Sequence, residues 1–154
     1  MTGLIIGLIV FANEVEFSQN CSGYLKQAAD ANTAELALVR LDMALKYIES
    51  KNLTSGYTSV VYKTENENIG YWYQNLKACQ KELQASVGKS QLEQTNVLMK
   101  VRESLTDNGK DGTELTIPAG ISRYPNNLIF GIFETIAALL AAFGIYNIME
   151  NRGK

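Results

Sequence analysis

The chain has 154 residues, 46 % of them hydrophobic and 19 % charged, with a formal net charge of -2, which is one domain's worth of protein with no basic surplus for a nucleic acid. It has no histidine and only two cysteines, so the commonest general base, the commonest zinc ligand and a Cys-only metal site are missing. Twelve glycines and two prolines do not suggest a collagen-like or disordered chain.

The chain opens on an apolar run. Residues 3–12, GLIIGLIVFA, carry no charge, and Asn13, Glu14 and Glu16 follow. Ten residues are short for a membrane span and match a signal-peptide core, yet no Lys or Arg precedes Lys26. We expect residues 1–17 to form a retained membrane-inserted helix whose last turns emerge into the interface. Gly3 and Gly7 make a GxxxG spacing that suits close helix contact in lipid.

The polar middle, residues 18–127, reads as helical. Over 22–51, Leu25, Ala28, Ala29, Leu36, Leu41, Ala44, Leu45 and Ile48 recur mostly in three- and four-residue steps, with charges on the other faces. Asp30-Ala-Asn32-Thr33 predicts a kink or a restart capped by Thr33, and Asn52 to Gly56 a stop. Residues 57–65, β-branched and aromatic, predict an extended connector. A second helix is expected over 65–86 on the stripe Ile69, Trp72, Tyr73, Leu76, Cys79 and Leu83. Gly88 breaks it, and a third helix spans 90–105. Residues 108–112 predict a turn, and 113–121 an extended segment, because Pro118 excludes a helix interior.

Residues 128–148 form the strongest apolar signal. This 21-residue run holds one charge, Glu134, and matches the ~20 residues that cross a ~30 Å bilayer core. Tyr124 and Tyr146 flank it as interfacial aromatics do. Ala138 and Ala142 repeat the small-residue spacing, as do Ala137 and Ala141. Glu134 inside a span costs ~2.5 kcal/mol or more if unpaired, and so points to a partner's polar or basic group, a proton site or snorkelling. Arg152 and Lys154 after the run, partly offset by Glu150, favour a cytoplasmic tail at 149–154 and place the middle outside the cytoplasm. In an oxidising compartment Cys21 and Cys79 would be expected to form a disulfide. Asn20-Cys21-Ser22 and Asn52-Leu53-Thr54 match the glycosylation sequon.

Motifs for chemistry are weak. Gly88-Lys89-Ser90 lacks the first glycine and the preceding strand of a phosphate loop. Asp107 to Thr113 matches a calcium loop at Asp107, Asp111 and Gly112, but fails at Gly109 and Pro118. Tyr71, Trp72 and Tyr73, with Tyr57 and Tyr62 nearby, are a possible binding surface, although a helix cannot turn Trp72 and both tyrosines to one face.

An apolar N-terminal helix running into an amphipathic one resembles type IV pilins. The chain departs from them in lacking an early glutamate in the apolar run and in closing on a second apolar helix, so that function is not carried over. The expectation is a mainly α protein: an elongated helical bundle ectodomain with N- and C-terminal membrane helices. Its expected role is a non-enzymatic accessory or structural subunit of a larger membrane assembly, with no cofactor and with lipid, other membrane subunits or copies of itself as partners. Membrane-helix contacts are expected at Gly3, Gly7, Glu134, Ala138 and Ala142. The alternatives are an extracytoplasmic sensor or small-ligand-binding module centred on Tyr71, Trp72 and Tyr73, and a self-assembling envelope or filament protein.

Overall fold

The computed structural model describes residues 2–59, 63–109, 112–124 and 127–152, without the side chains of 2–6, 129, 130, 134 and 150–152. The chain is mainly helical. The order is α1 (Thr2–Phe17), a π turn (Ser18–Ser22), α2 (Gly23–Ala29), α3 (Ala34–Ser50), α4 (Ile69–Ser86), α5 (Gln91–Leu105), strands β1 (Thr106–Gly109) and β2 (Gly112–Leu115), and α6 (Asn127–Arg152).

Helices α1 and α2 are one continuous rod. Phe17, Ser22 and Gly23 all keep right-handed helical angles through the π turn, where the Gly23 N–H donates to the Ser18 carbonyl. A Cβ at Gly23 would stand 3.1 Å from that oxygen, so glycine suits the tightened wall. Burial begins at Phe17 and continues through Cys21, Leu25, Ala28 and Ala29.

Helix α3 restarts where the polar Asp30–Thr33 stretch interrupts the rod. The Leu36 N–H donates to Thr33 Oγ1 at 3.2 Å, an N-cap that supplies one of the helix's orphan donors with an acceptor. Ala34, Ala37, Leu41, Ala44, Leu45 and Ile48 are buried, and three alanines among six core positions allow neighbouring helices to approach closely. Leu36 belongs to the expected core stripe but is 43 % exposed, because its position faces away from the line through Ala37 and Leu41. The helix stops on Asn52, left-handed at φ 56°. The Leu53 N–H donates to the Ile48 carbonyl and the Asn52 N–H to that of Glu49, and Leu53 is buried, a Schellman arrangement.

Helix α4 begins four residues later than expected. Residues Glu65–Glu67 form a 3-10 turn boxed by Thr64 and Glu67, and Asn68 then caps α4 by accepting from the Tyr71 N–H at 3.0 Å. Ile69, Trp72, Leu76, Cys79, Leu83 and Ser86 form its buried stripe. Ser90 and Glu93 make the capping box of α5, whose Val101 and Leu105 are buried. Helix α3 packs on α2 and α4, and α5 on α4, α3 and α2. The Arg102 guanidinium fastens α5 to the end of α2 by donating to the Ala29 carbonyl at 2.9 Å.

The expected turn and extended segment after α5 contain a β-hairpin. Thr106 pairs with Leu115, Asp107 with Glu114, Asn108 with Thr113 and Gly109 with Gly112. Glycine suits two of these positions: Gly112 has φ +129°, and a Cβ at Gly109 would run into the Glu114 carboxylate. Asp111 of the calcium-like spacing, residues 60–62 of the connector, and Pro125 and Asn126 before α6 lie outside the described residues.

Because the α3 cap is a single side-chain contact at an exposed position, Thr33→Ala should lower stability by about 1 kcal/mol in a denaturant titration. Thr33→Ser should retain most of it; equal losses in both variants would show that the hydroxyl is not the cap.

Candidate functional site

Two surfaces stand out once the core is filled. The first is the pair of apolar ends. Residues Gly131–Met149 of α6 make a 19-residue stretch long and apolar enough to cross a membrane, and none of it is buried within the chain. Leu139, Leu140 and Phe143 are each about two-thirds exposed. Helix α1 is bare at Leu8, Ile9 and Phe11. At 16 residues, or about 24 Å, α1 falls short of the ~30 Å core. Among the described residues only α6 therefore passes as a span, and the expected pair of membrane helices is reduced to one by length and composition.

The two ends leave the domain together. Glu14 pairs with Arg123 at 3.3 Å, four residues before α6 begins, and Glu16 pairs with Lys51 at 2.7 Å. Phe17 meets the Tyr47 ring edge-on at 6.1 Å, and the Lys51 ammonium lies 5.6 Å from the Tyr47 ring centre. Tyr124 packs against the core, and its hydroxyl is 3.0 Å from where a Cβ on Gly56 would stand; Gly56 is also left-handed at φ +90°. These residues form a collar of tyrosines and paired charges around the root of α1.

The expected helix-contact residues are accounted for as follows. Gly7 on α1 has nothing within 4 Å of an added Cβ, and Ala138 and Ala142 on α6 are exposed. Gly3 lies in the first turns of α1, and its surroundings fall outside the described residues, as does the side chain of Glu134 in α6. Among the described residues these small-residue faces of Gly7, Ala138 and Ala142 are uncovered.

The second surface is an open cleft of about 520 Å³ between the start of α4, the hairpin and residues 115–119. The aromatic triplet divides there as helical geometry requires. Trp72 is 6 % exposed and forms part of the wall, with no acceptor for its Nε1–H among the described residues. Tyr71 is 51 % exposed and also lines the cleft. Tyr73 turns away, and its hydroxyl donates to Glu49 Oε1 at 2.7 Å, a contact that raises its pKa, with burial and the Glu49 charge adding to the shift. The hairpin, which supplies the far wall, was missed in the sequence; the turn-forming dipeptides Asn108-Gly109 and Asp111-Gly112 were its available signal.

The expected disulfide is corrected: Cys21 and Cys79 are both free and buried. Each thiol has its own neighbours. Cys21 lies near Tyr47 on α3, whereas Cys79 lies beside Ser104 and Lys100 on α5 and Glu82 on its own helix. Comparison with known protein families, curated proteins and solved structures finds no match to this chain.

The thiols generate a pH prediction. Burial pushes Cys21 up to about 12, and burial is also the largest influence raising Cys79. A raised acid holds its proton more firmly in the folded than in the unfolded state. Its stabilising effect is complete below the free thiol's pKa of ~8.5 and is lost as pH rises toward the folded value, at up to about 1.4 kcal/mol per pH unit for one group. Tyr47, pushed up to about 12 by burial, then by Glu16 and Cys21, adds to the loss above ~10. The thermal midpoint should therefore fall from pH 8.5 to 10.5, and less steeply in Cys21→Ala; superimposable profiles would contradict the buried-thiol assignment. Unreduced protein should also yield two alkylated cysteines in denaturant and almost none when folded. Finding both blocked in denaturant would restore the disulfide.

Proposed function

We propose that this chain is a small, non-enzymatic, membrane-anchored accessory or structural subunit of a larger membrane assembly. The observation that carries the reading is the bare α6: 19 apolar residues, about 28 Å of helix, with none of that surface buried against the domain. A core helix of a soluble protein buries such a surface, whereas a helix facing lipid does not.

Helix α1 then enters the same bilayer as a shorter inserted helix beside the span. The collar sits where both helices meet the domain, so Tyr47, Tyr124, Lys51 and Arg123 lie at headgroup level, as interfacial aromatics and cations do. Arg152 at the end of α6 and Lys154 after it favour a cytoplasmic tail and a domain outside the cytoplasm. That orientation rests on these charges alone, since free thiols lend it no support.

Helices in lipid associate by close backbone approach at small residues, and the faces of Gly7, Ala138 and Ala142 are uncovered among the described residues. Gly3 continues the first face. A carboxylate at position 134 of an apolar span adds a reason for a polar or basic partner group.

The test is the mass and composition of the particle extracted in mild detergent. Larger, different membrane subunits should co-purify, and Glu134→Leu or Gly7→Leu should release this chain from them. Particles made only of this chain, or assembly unchanged in both variants, would overturn the accessory role.

A further inference from the structure

The cleft beside Trp72 has an unusual charge distribution. Asp107 and Glu114 are direct partners across the hairpin, and both line the cleft. Like charges directly opposite one another destabilise a strand pair, and a two-stranded hairpin has little stability of its own to offset them. Glu65, in the turn before α4, adds a third carboxylate from the opposite wall. No Lys or Arg is among the described lining residues.

The carboxylates are spread out. Among the described residues no three His, Cys, Asp or Glu side chains come together as a metal site. A point cation is therefore a poor match, and a ligand with separated positive charges is a better one. Between the charges the wall mixes apolar and aromatic residues, Tyr71, Trp72, Ile117 and Pro118, with the side-chain amides of Asn66, Asn68, Asn75 and Asn108. The volume of about 520 Å³ falls in the range of small-molecule sites.

We propose that this cleft binds an aliphatic diamine or polyamine. One ammonium group sits between Asp107 and Glu114 and relieves their repulsion. A second faces Glu65. The methylene chain lies in apolar contact along the Tyr71 and Trp72 rings and against Ile117 and Pro118. None of the lining residues belongs to α1 or α6, so the inference stands apart from the membrane reading.

Trp72 is the sole tryptophan of the chain, so its emission reports on this cleft alone. The experiment titrates spermidine into the full chain in polyoxyethylene micelles at low ionic strength, following fluorescence and, in parallel, heat by calorimetry. We expect saturable binding in at least one readout, weakened by added salt. Glu65→Gln with Glu114→Gln should weaken it about tenfold, since each exposed ion pair contributes a fraction of the total. Should that double variant lose its helical circular dichroism, Asp107→Asn replaces it, with about a threefold weakening expected. Saturation neither in emission nor in heat, or an unchanged affinity in the folded variant, would overturn the proposal. An equal response to magnesium at matched ionic strength would reduce it to counterion screening. Saturable binding of maltose without binding of spermidine would make the cleft a neutral sugar site instead.

Discussion

The rod from Thr2 to Ala29 is buried at one end and bare at the other, and the rest of the structure is arranged around that change. Phe17 is the first buried side chain among the described residues, and the π turn begins at the next residue. Beyond it Cys21, Leu25, Ala28 and Ala29 face α3 and α5; before it Leu8, Ile9 and Phe11 are exposed. Because the helix does not break between these halves, the direction in which α1 leaves the domain is fixed by the core packing of α2. Glu14 and Glu16 then tie its root to Arg123 and Lys51. Exposed ion pairs of this kind contribute little stability each, so their effect is to orient the root rather than to hold the fold together.

The core itself was legible because helical burial leaves a period. The stripes of α3 and α4 were readable as steps of three and four, and Thr33, Ser90 and Gly88 announced the boundaries by side-chain capping and by a left-handed turn (φ +80° at Gly88). Leu36 shows the limit of that reading. Hydrophobicity places a leucine on a stripe, but only packing decides whether a partner covers it, and the close approach allowed by Ala34, Ala37 and Ala44 brings the neighbours to a narrower face. The start of α4 was blurred for a similar reason: Glu65, Asn66 and Glu67 favour a helical turn, but Asn68 diverts the backbone to an extended φ of -81° and ψ of 99° before the helix begins.

The site was less legible than the fold. Trp72 and Tyr71 were visible as a concentration, and the helix period required that the aromatic triplet not share one face, without saying which ring is covered. What the sequence does not reveal is the opposing wall. Thr106 to Leu115 has no alternating apolar pattern, since Asp107, Asn108, Thr113 and Glu114 are all exposed polar residues. Its pairing depends on turn geometry and on the anchor at its base, where Leu105 is buried and its carbonyl accepts from the Thr116 N–H. The cysteines failed for the opposite reason. An even count and an inferred compartment made a bond plausible, but placement within helices sets which neighbours each thiol has, and these two have different ones.

Chain order joins the two surfaces. Residues 115–119 line the cleft, and the strand of chain continues directly into the Ile121–Arg123 turn, where Ile121 is buried, Arg123 pairs with Glu14 and Tyr124 packs beside Gly56. Helix α6 starts three residues after Tyr124. The same short segment therefore forms a wall of the cleft, closes the collar around α1 and leads into the apolar span. On the other side the pairing of the Gly56 carbonyl with the Ile69 N–H and of the Thr58 N–H with the Glu67 carbonyl brings the start of α4 to that segment. Trp72 is consequently one helical turn from the residues that hold the roots of the two apolar helices in place, and the position of the cleft is set by the same contacts that orient those helices.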